Sequence, residues 1–198
     1  MNYYKPNILT LAYDFICAIY TILALRKVKL HENCVLVIMD PIEAYKRLYD
    51  ERTIENINKL IENASKKNIK VILTRWIRTK PYGTDKIDAI DMKGHWSFYV
   101  PNNQTNMIKK INTKDTEIIE VRNTNAFMNK KFKEIIDDKN ELILAGAWLE
   151  SCIINTTRAA LDENKVVSVV ANSSTGHFPF CYISLINIQL MYGNVVNI

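Results

Sequence analysis

The chain has 198 residues, 48% of them hydrophobic and 24% charged, with a formal net charge of +5. That length suits one domain with a full core. The positive charge is interleaved with acidic residues, as at Lys59, Glu62, Lys66 and Lys67, and no basic stripe with stacking aromatics is present, so nucleic acid is excluded as a partner.

The first feature along the chain is an 18-residue apolar run from Ile8 to Leu25, broken by Asp14, preceded by Lys5 and followed by Arg26, Lys27 and Lys29. A transmembrane helix needs about 20 apolar residues, and a central Asp opposes insertion by about 2.5 to 3.5 kcal/mol. A signal peptide needs a small-residue cleavage site, and none is clear. Residues 1–30 therefore read as an N-terminal helical extension, packed on the domain or in an oligomer interface, with a membrane anchor as the alternative. The domain proper is expected over 31–198.

From Cys34 the chain alternates between strand and helix signals. Residues 34–39 (CVLVIM) are continuously apolar and stop at Asp40-Pro41, as in a strand covered on both faces. Asp40 then stands at the carboxyl edge of a central strand, where ligand crevices of parallel sheets lie, or else caps a turn. Ile54, Ile57, Leu60 and Ile61 form a helical stripe before a strand at 70–74. Residues 75–115 form a long connection carrying Trp76, Trp96, Phe98 and Tyr99, either a lid or aromatic core. His95 lies in it, beside aromatics that suit a pocket wall or plain packing.

Further strands are expected at 116–121, 141–145, 166–170 and 194–198, six in all, with helices marked by Phe127, Phe132, Ile135 and Ile136 and by Ile183, Ile186, Leu190 and Met191. This alternation predicts an α/β fold, a three-layer α/β/α Rossmann-like arrangement around a six-stranded parallel sheet. The most informative segment is AGAWLESC at 145–152, which carries an apolar strand through a tight turn to Cys152 at the start of a helix with Ile153, Thr157, Ala160 and Leu161 on one face. A thiol at a helix N-terminus is expected to have a pKa below the free value of about 8.5 and to serve as a nucleophile. A buried packing cysteine is the alternative. His177 follows a polar loop, Ser173 to Gly176, which either reaches the crevice or makes a plain turn.

Cys17, Cys34, Cys152 and Cys181 have neither disulfide nor metal spacings, and a working thiol suits a reducing, cytoplasmic setting. His31, His95 and His177 are far apart, so no metal and no cofactor is expected.

The order of these parts resembles the isochorismatase-like cysteine hydrolases, and within them the YcaC-type branch. The matching parts are VLVIMD at 35–40, VILT at 71–74, IIEVRNTNAF at 118–127, GAWLESC at 146–152 and VVSVVANSSTG at 166–176. The resemblance implies a catalytic trio of Asp base, basic residue and Cys nucleophile. Asp40 and Cys152 match directly. The basic position is a lysine in the family, and Arg122 takes it here by role, in a segment one residue shorter. Arginine holds a charge but does not shuttle protons. The resemblance further implies a cis peptide near Ala147-Trp148, Trp148, Asn125 and His95 as substrate contacts, and attack of Cys152 on a small-molecule amide or related C–N bond, with an oxyanion held by N–H groups of residues 148–152. Asn172 stands where the family often has Asp. A homo-oligomer is expected. The competing expectation is a catalytically inactive member that serves as a binding or assembly module.

Overall fold

The computed structural model describes residues 26–77, 100 and 102–198. The N-terminal run at 8–25 and His95 lie outside the described residues, as do Trp96, Phe98 and Tyr99. Six strands, β1 (Cys34–Met39), β2 (Val71–Trp76), β3 (Glu117–Val121), β4 (Glu141–Ala147), β5 (Val166–Thr175) and β6 (Asn194–Val196), form one sheet in the order β3-β2-β1-β4-β5-β6. Every pairing is parallel. All six expected strands are present, and all of β1 is buried, as its unbroken apolar run requires.

The helices follow from periodicity and caps. Helix α1 (Glu51–Lys66) starts at Asp50, whose side chain accepts from the Thr53 N–H, and buries Ile54, Ile57, Leu60, Ile61 and Ala64. These lie three or four residues apart and make one stripe facing the sheet. Helix α2 (Lys130–Ile136) is capped by Asn129 and buries Phe132 and Ile136; α3 (Ile154–Asp162) continues from a wide π turn at Leu149–Ile153. Helix α4 (Phe180–Asn187) runs into a second π turn, Ile188–Tyr192. The expected last helix is therefore present, but its buried positions are Ser184, Leu185 and Ile188, whereas Ile183, Leu190 and Met191 are exposed. The apolar residues of this segment surround the helix, so periodicity alone could not choose the inward face.

Strand order places the site. From β1 the chain moves outward through β2 to β3, then returns to β4 and moves the other way through β5 to β6. Right-handed crossovers put α1 on one face and α2, α3 and α4 on the other. The direction reverses between β1 and β4, the place beyond whose carboxyl ends sheets of this kind carry their ligand crevice. Asp40 follows β1 and Cys152 follows β4.

Gly146 lets these two strands meet. It pairs with Met39, adopts φ 104°, and a Cβ on it would lie 2.3 Å from the Met39 carbonyl oxygen. No L side chain fits that contact. Next to it, two positions along β4 (Leu144 to Gly146) match five along β5 (Val169 to Ser174), an outward excursion that carries Asn172. There Asn172 accepts from Asn56 through its carbonyl and from the Ile198 N–H through Oδ1. Its role is to tie α1 and the C-terminus to β5.

Among the described residues no helix is long and apolar enough to cross a membrane. Trp76 is buried in the core, which assigns that aromatic of the long connection to packing.

Candidate active site

Asp40 is fully buried at the end of β1 with φ 46°, a left-handed conformation that Asp adopts more readily than most residues and that concentrates at functional sites. Thr74, two residues before the end of the neighbouring β2, fixes it twice. The Thr74 hydroxyl donates to Asp40 Oδ1 at 2.6 Å and accepts from the Asp40 N–H at 2.9 Å. Asp40 Oδ2 completes no hydrogen bond of ordinary geometry among the described residues. Residues 106–108 close over the following turn, where Glu43 N–H donates to the Asn106 carbonyl and Ile108 N–H to that of Pro41.

Burial is the dominant influence on this carboxyl and raises its pKa from 3.8 to about 6. Thr74, the Cys152 thiol and the Trp76 backbone N–H act in the opposite sense by hydrogen bonding to the ionised form. Among the described residues no cation contributes.

Cys152 sits in the π turn that opens α3 and is 5% exposed. The expected depression of its pKa does not occur. Burial, then the Asp40 charge and the hydrogen bond to Asp40, hold the thiol well above its ordinary value of 9.0, and the Trp148 backbone and Ser151 hydroxyl offset only part of this. A helix terminus stabilises an anion by about 0.3 to 1 kcal/mol, less than desolvation and a carboxylate neighbour oppose it. The resting pair above about pH 6 is thus an ionised Asp40 facing a protonated Cys152.

The surroundings of the pair are aromatic. The peptide Ala147-Trp148 is cis, and the Trp148 ring meets Tyr45 edge-on at 5.2 Å and His177 at 4.5 Å. Tyr49 donates its hydroxyl to the Met39 carbonyl at 3.0 Å. Its phenol is pushed well above 10 by burial and by the neighbouring Asp40 and Cys152 charges. His177 is held through both its backbone N–H (2.7 Å) and Nδ1 (2.9 Å) by Glu150 Oε1.

The structure thus brings together Asp40, Cys152 and Trp148 and, among the described residues, leaves one expected site residue, Arg122, outside their hydrogen bonds. Arg122 is exposed at the end of β3, the outermost strand, with β2 between it and β1. Two strand spacings are roughly 10 Å. Among the described residues, no hydrogen bond or ion pair joins Arg122 to Asp40 or Cys152, contrary to the expected trio. Asn125 uses its Oδ1 to accept from the Phe127 N–H at 2.9 Å and caps the short turn Ala126–Met128. Thr74, Tyr49 and the Glu150–His177 pair were not assigned to the site from sequence. A Thr ending an apolar strand was the visible signal for Thr74, whereas the others depend on contacts between distant segments. No group of three or more His, Cys, Asp or Glu side chains among the described residues is arranged to hold a metal ion.

The fold recurs in solved structures. A cysteine hydrolase from Pseudomonas syringae pv. phaseolicola 1448A superposes with a TM-score of 0.69 at 16% identity, over 87% of this chain and 92% of that one. A pyrazinamidase of Pyrococcus horikoshii in complex with zinc gives 0.69 at 14% identity, over 84% and 99%. An isochorismatase from Pseudomonas putida KT2440 gives 0.63 at 22%, over 86% and 90%. At these identities the likeness is one of fold. No curated protein sequence matches the chain. The isochorismatase domain profile matches residues 35–183, the span from β1 into α4, and the chain therefore belongs to the isochorismatase-like hydrolase family.

Proposed function

We propose that the protein is a cysteine hydrolase that cleaves a small amide or related C–N compound, with Cys152 as nucleophile and Asp40 as base. The observation that carries this reading is the buried Asp40–Cys152 pair, with the Asp40 carboxyl raised to about 6 and therefore ionised yet basic near neutrality. Asp40 Oδ2 is the oxygen without an ordinary hydrogen bond, and it is the one suited to receive the thiol proton. As the proton leaves, sulfur attacks the carbonyl carbon. In the turn Leu149–Ile153 the Ser151 and Ile153 N–H groups donate to the Trp148 carbonyl at 3.0 and 3.1 Å, and the remaining N–H groups at its start suit the developing oxyanion. Collapse breaks the C–N bond and leaves a thioester on Cys152, which water then cleaves. The order of sequence parts favours the YcaC-type branch of the family.

A second reading, a member that has lost catalysis and serves as a binding or assembly module, is favoured by the exposed Arg122, which makes no hydrogen bond or ion pair to Asp40 or Cys152 among the described residues. Acylation of the full-length protein by p-nitrophenyl acetate separates the two. The hydrolase reading expects a stoichiometric burst of p-nitrophenolate, with the acetyl group mapped to Cys152 by mass spectrometry and a rate limb near pH 6 that Asp40→Asn removes. Acylation of Cys152 no faster than that of Cys34 and Cys181, and indifferent to Asp40→Asn, would establish the inactive reading.

A further inference from the structure

Helix α4 and its π turn carry more large apolar side chains outside than inside. Tyr182, Ile183, Leu190 and Met191 are 58, 56, 55 and 66% exposed, whereas the buried positions are Ser184, Leu185 and Ile188. The sequence over 166–198 contains no Asp, Glu, Lys or Arg, so nothing charged solvates this face. A helix apolar all round is ordinarily covered, and contiguous exposed apolar side chains mark a contact surface.

The path of the chain before β1 points to the cover. Residues 26–28 run parallel to the end of the chain along the outer side of β6. The Arg26 carbonyl accepts from the Asn197 N–H at 2.9 Å, and the Val28 N–H donates to the Asn197 carbonyl at 2.7 Å. Because the two run parallel, the residues before Arg26 arrive from the side of Val195. There the next outward N–H of the edge, that of Val195, is taken by Gln189 Oε1 at 2.8 Å. The π turn therefore fills the edge position just before Arg26, and the chain reaches the sheet beside Gln189, the neighbour of Leu190.

The apolar run 8–25, outside the described residues, ends at that point. Its sequence suits a helix lying on a surface. At helical spacing Thr10, Asp14 and Thr21 share one side, and Ile8, Leu11, Phe15 and Ile22 share another. That pattern gives Asp14 a side toward water, which a bilayer span denies it. An 18-residue helix covers about 27 Å and residues 180–192 about 20 Å, so the run has the length to cover the whole face.

We infer that residues 8–25 pack along α4 and its π turn in the same chain, with Ile8, Leu11, Phe15 and Ile22 turned toward Ile183, Leu190 and Met191. The run starts beside Gln189 and proceeds backward along the helix toward its first turn. This surface is independent of the hydrolase reading.

Met191 and Met128 provide the test, because the described residues leave them about equally open, at 66 and 69%. Dilute hydrogen peroxide converts exposed thioethers to sulfoxides, and mass spectrometry reads the rate at each site in the full-length protein. Met191 is expected to react about 10-fold or more slowly than Met128 at every protein concentration. Leu11→Lys with Phe15→Lys should bring Met191 to the rate of Met128 while leaving Met128 unchanged. In a Cys17→Ala, Cys181→Ala background, Ile22→Cys and Leu190→Cys should join through a short bis-maleimide. A mixture of heavy-isotope-labelled and unlabelled protein should then yield linked pairs of one isotope only. If the lysine substitutions unfold the protein, the isotope pattern of the cross-link decides. Equal oxidation of the two methionines would overturn the inference, as would protection of Met191 that survives the lysine substitutions. Protection that fades on dilution, or mixed-isotope pairs, would overturn it in favour of a second copy. Protection gained only with phosphatidylcholine vesicles would overturn it in favour of a membrane surface.

Discussion

Thr74 of β2 and Asp40 at the end of β1 exchange two hydrogen bonds, the hydroxyl donating to Oδ1 at 2.6 Å and accepting from the Asp40 N–H at 2.9 Å. The pair fixes a carboxyl that burial alone would leave free to turn. It also favours the ionised state. Thr74→Val keeps the shape and removes both bonds, so the acid limb of Cys152 acylation should move upward from about pH 6, with a stability loss of about 1 to 3 kcal/mol for the buried groups left unpaired. A pH–rate profile and a urea titration of the variant check the two effects. An unmoved limb would mean that Asp40 is not the group being titrated.

Asp40→Asn should make the protein more stable and chemically inert. The folded carboxyl has its pKa raised from 3.8 to about 6, so its favourable contribution is fully present below 3.8 and is lost as pH rises to 6. At pH 7 an ionised Asp40 therefore opposes folding by about 2 to 3 kcal/mol, which the neutral amide avoids. Thermal unfolding of the two proteins should differ most near neutrality and converge below about pH 4.

The resting Cys152 should be a thiol at pH 7. Its direct ionisation, followed by thiolate absorbance near 240 nm in a Cys17→Ala, Cys34→Ala, Cys181→Ala background, is expected above the ordinary value of 9.0, and Asp40→Asn should lower it by removing the charge beside it. A wild-type transition well below 9.0 would contradict the geometry.

Gly146→Ala should be severely destabilising, by about 3 kcal/mol or more, because the new Cβ meets the Met39 carbonyl oxygen at 2.3 Å with φ at 104°. Neither backbone can yield without separating β1 from β4. Denaturant unfolding measures the loss.

Arg122→Ala should do little. The side chain is exposed on the edge strand, so stability should change within about 0.5 kcal/mol and the Cys152 burst should be unaltered. A burst abolished by this change would restore Arg122 to the site.

The sequence by itself determined the layers and the strand ends. Unbroken apolar runs at 34–39 and 142–145 suit central strands, and the residues that follow them, Asp40 and the turn leading to Cys152, fall where such strands end. Helical periodicity gave α1 its buried face because its apolar positions share one stripe. Tertiary structure decided what depends on which strand neighbours which. A basic residue ending β3 looks equivalent, in one dimension, to an aspartate ending β1, yet β2 stands between them. The thiol's charge state was likewise set by distant groups: the local turn favours an anion, while burial and the carboxylate delivered by β1 oppose it more strongly. Glu150 and His177, 27 positions apart, met only because β5 returned the chain to the edge from which β4 had left it, and electrostatics act through that distance in space.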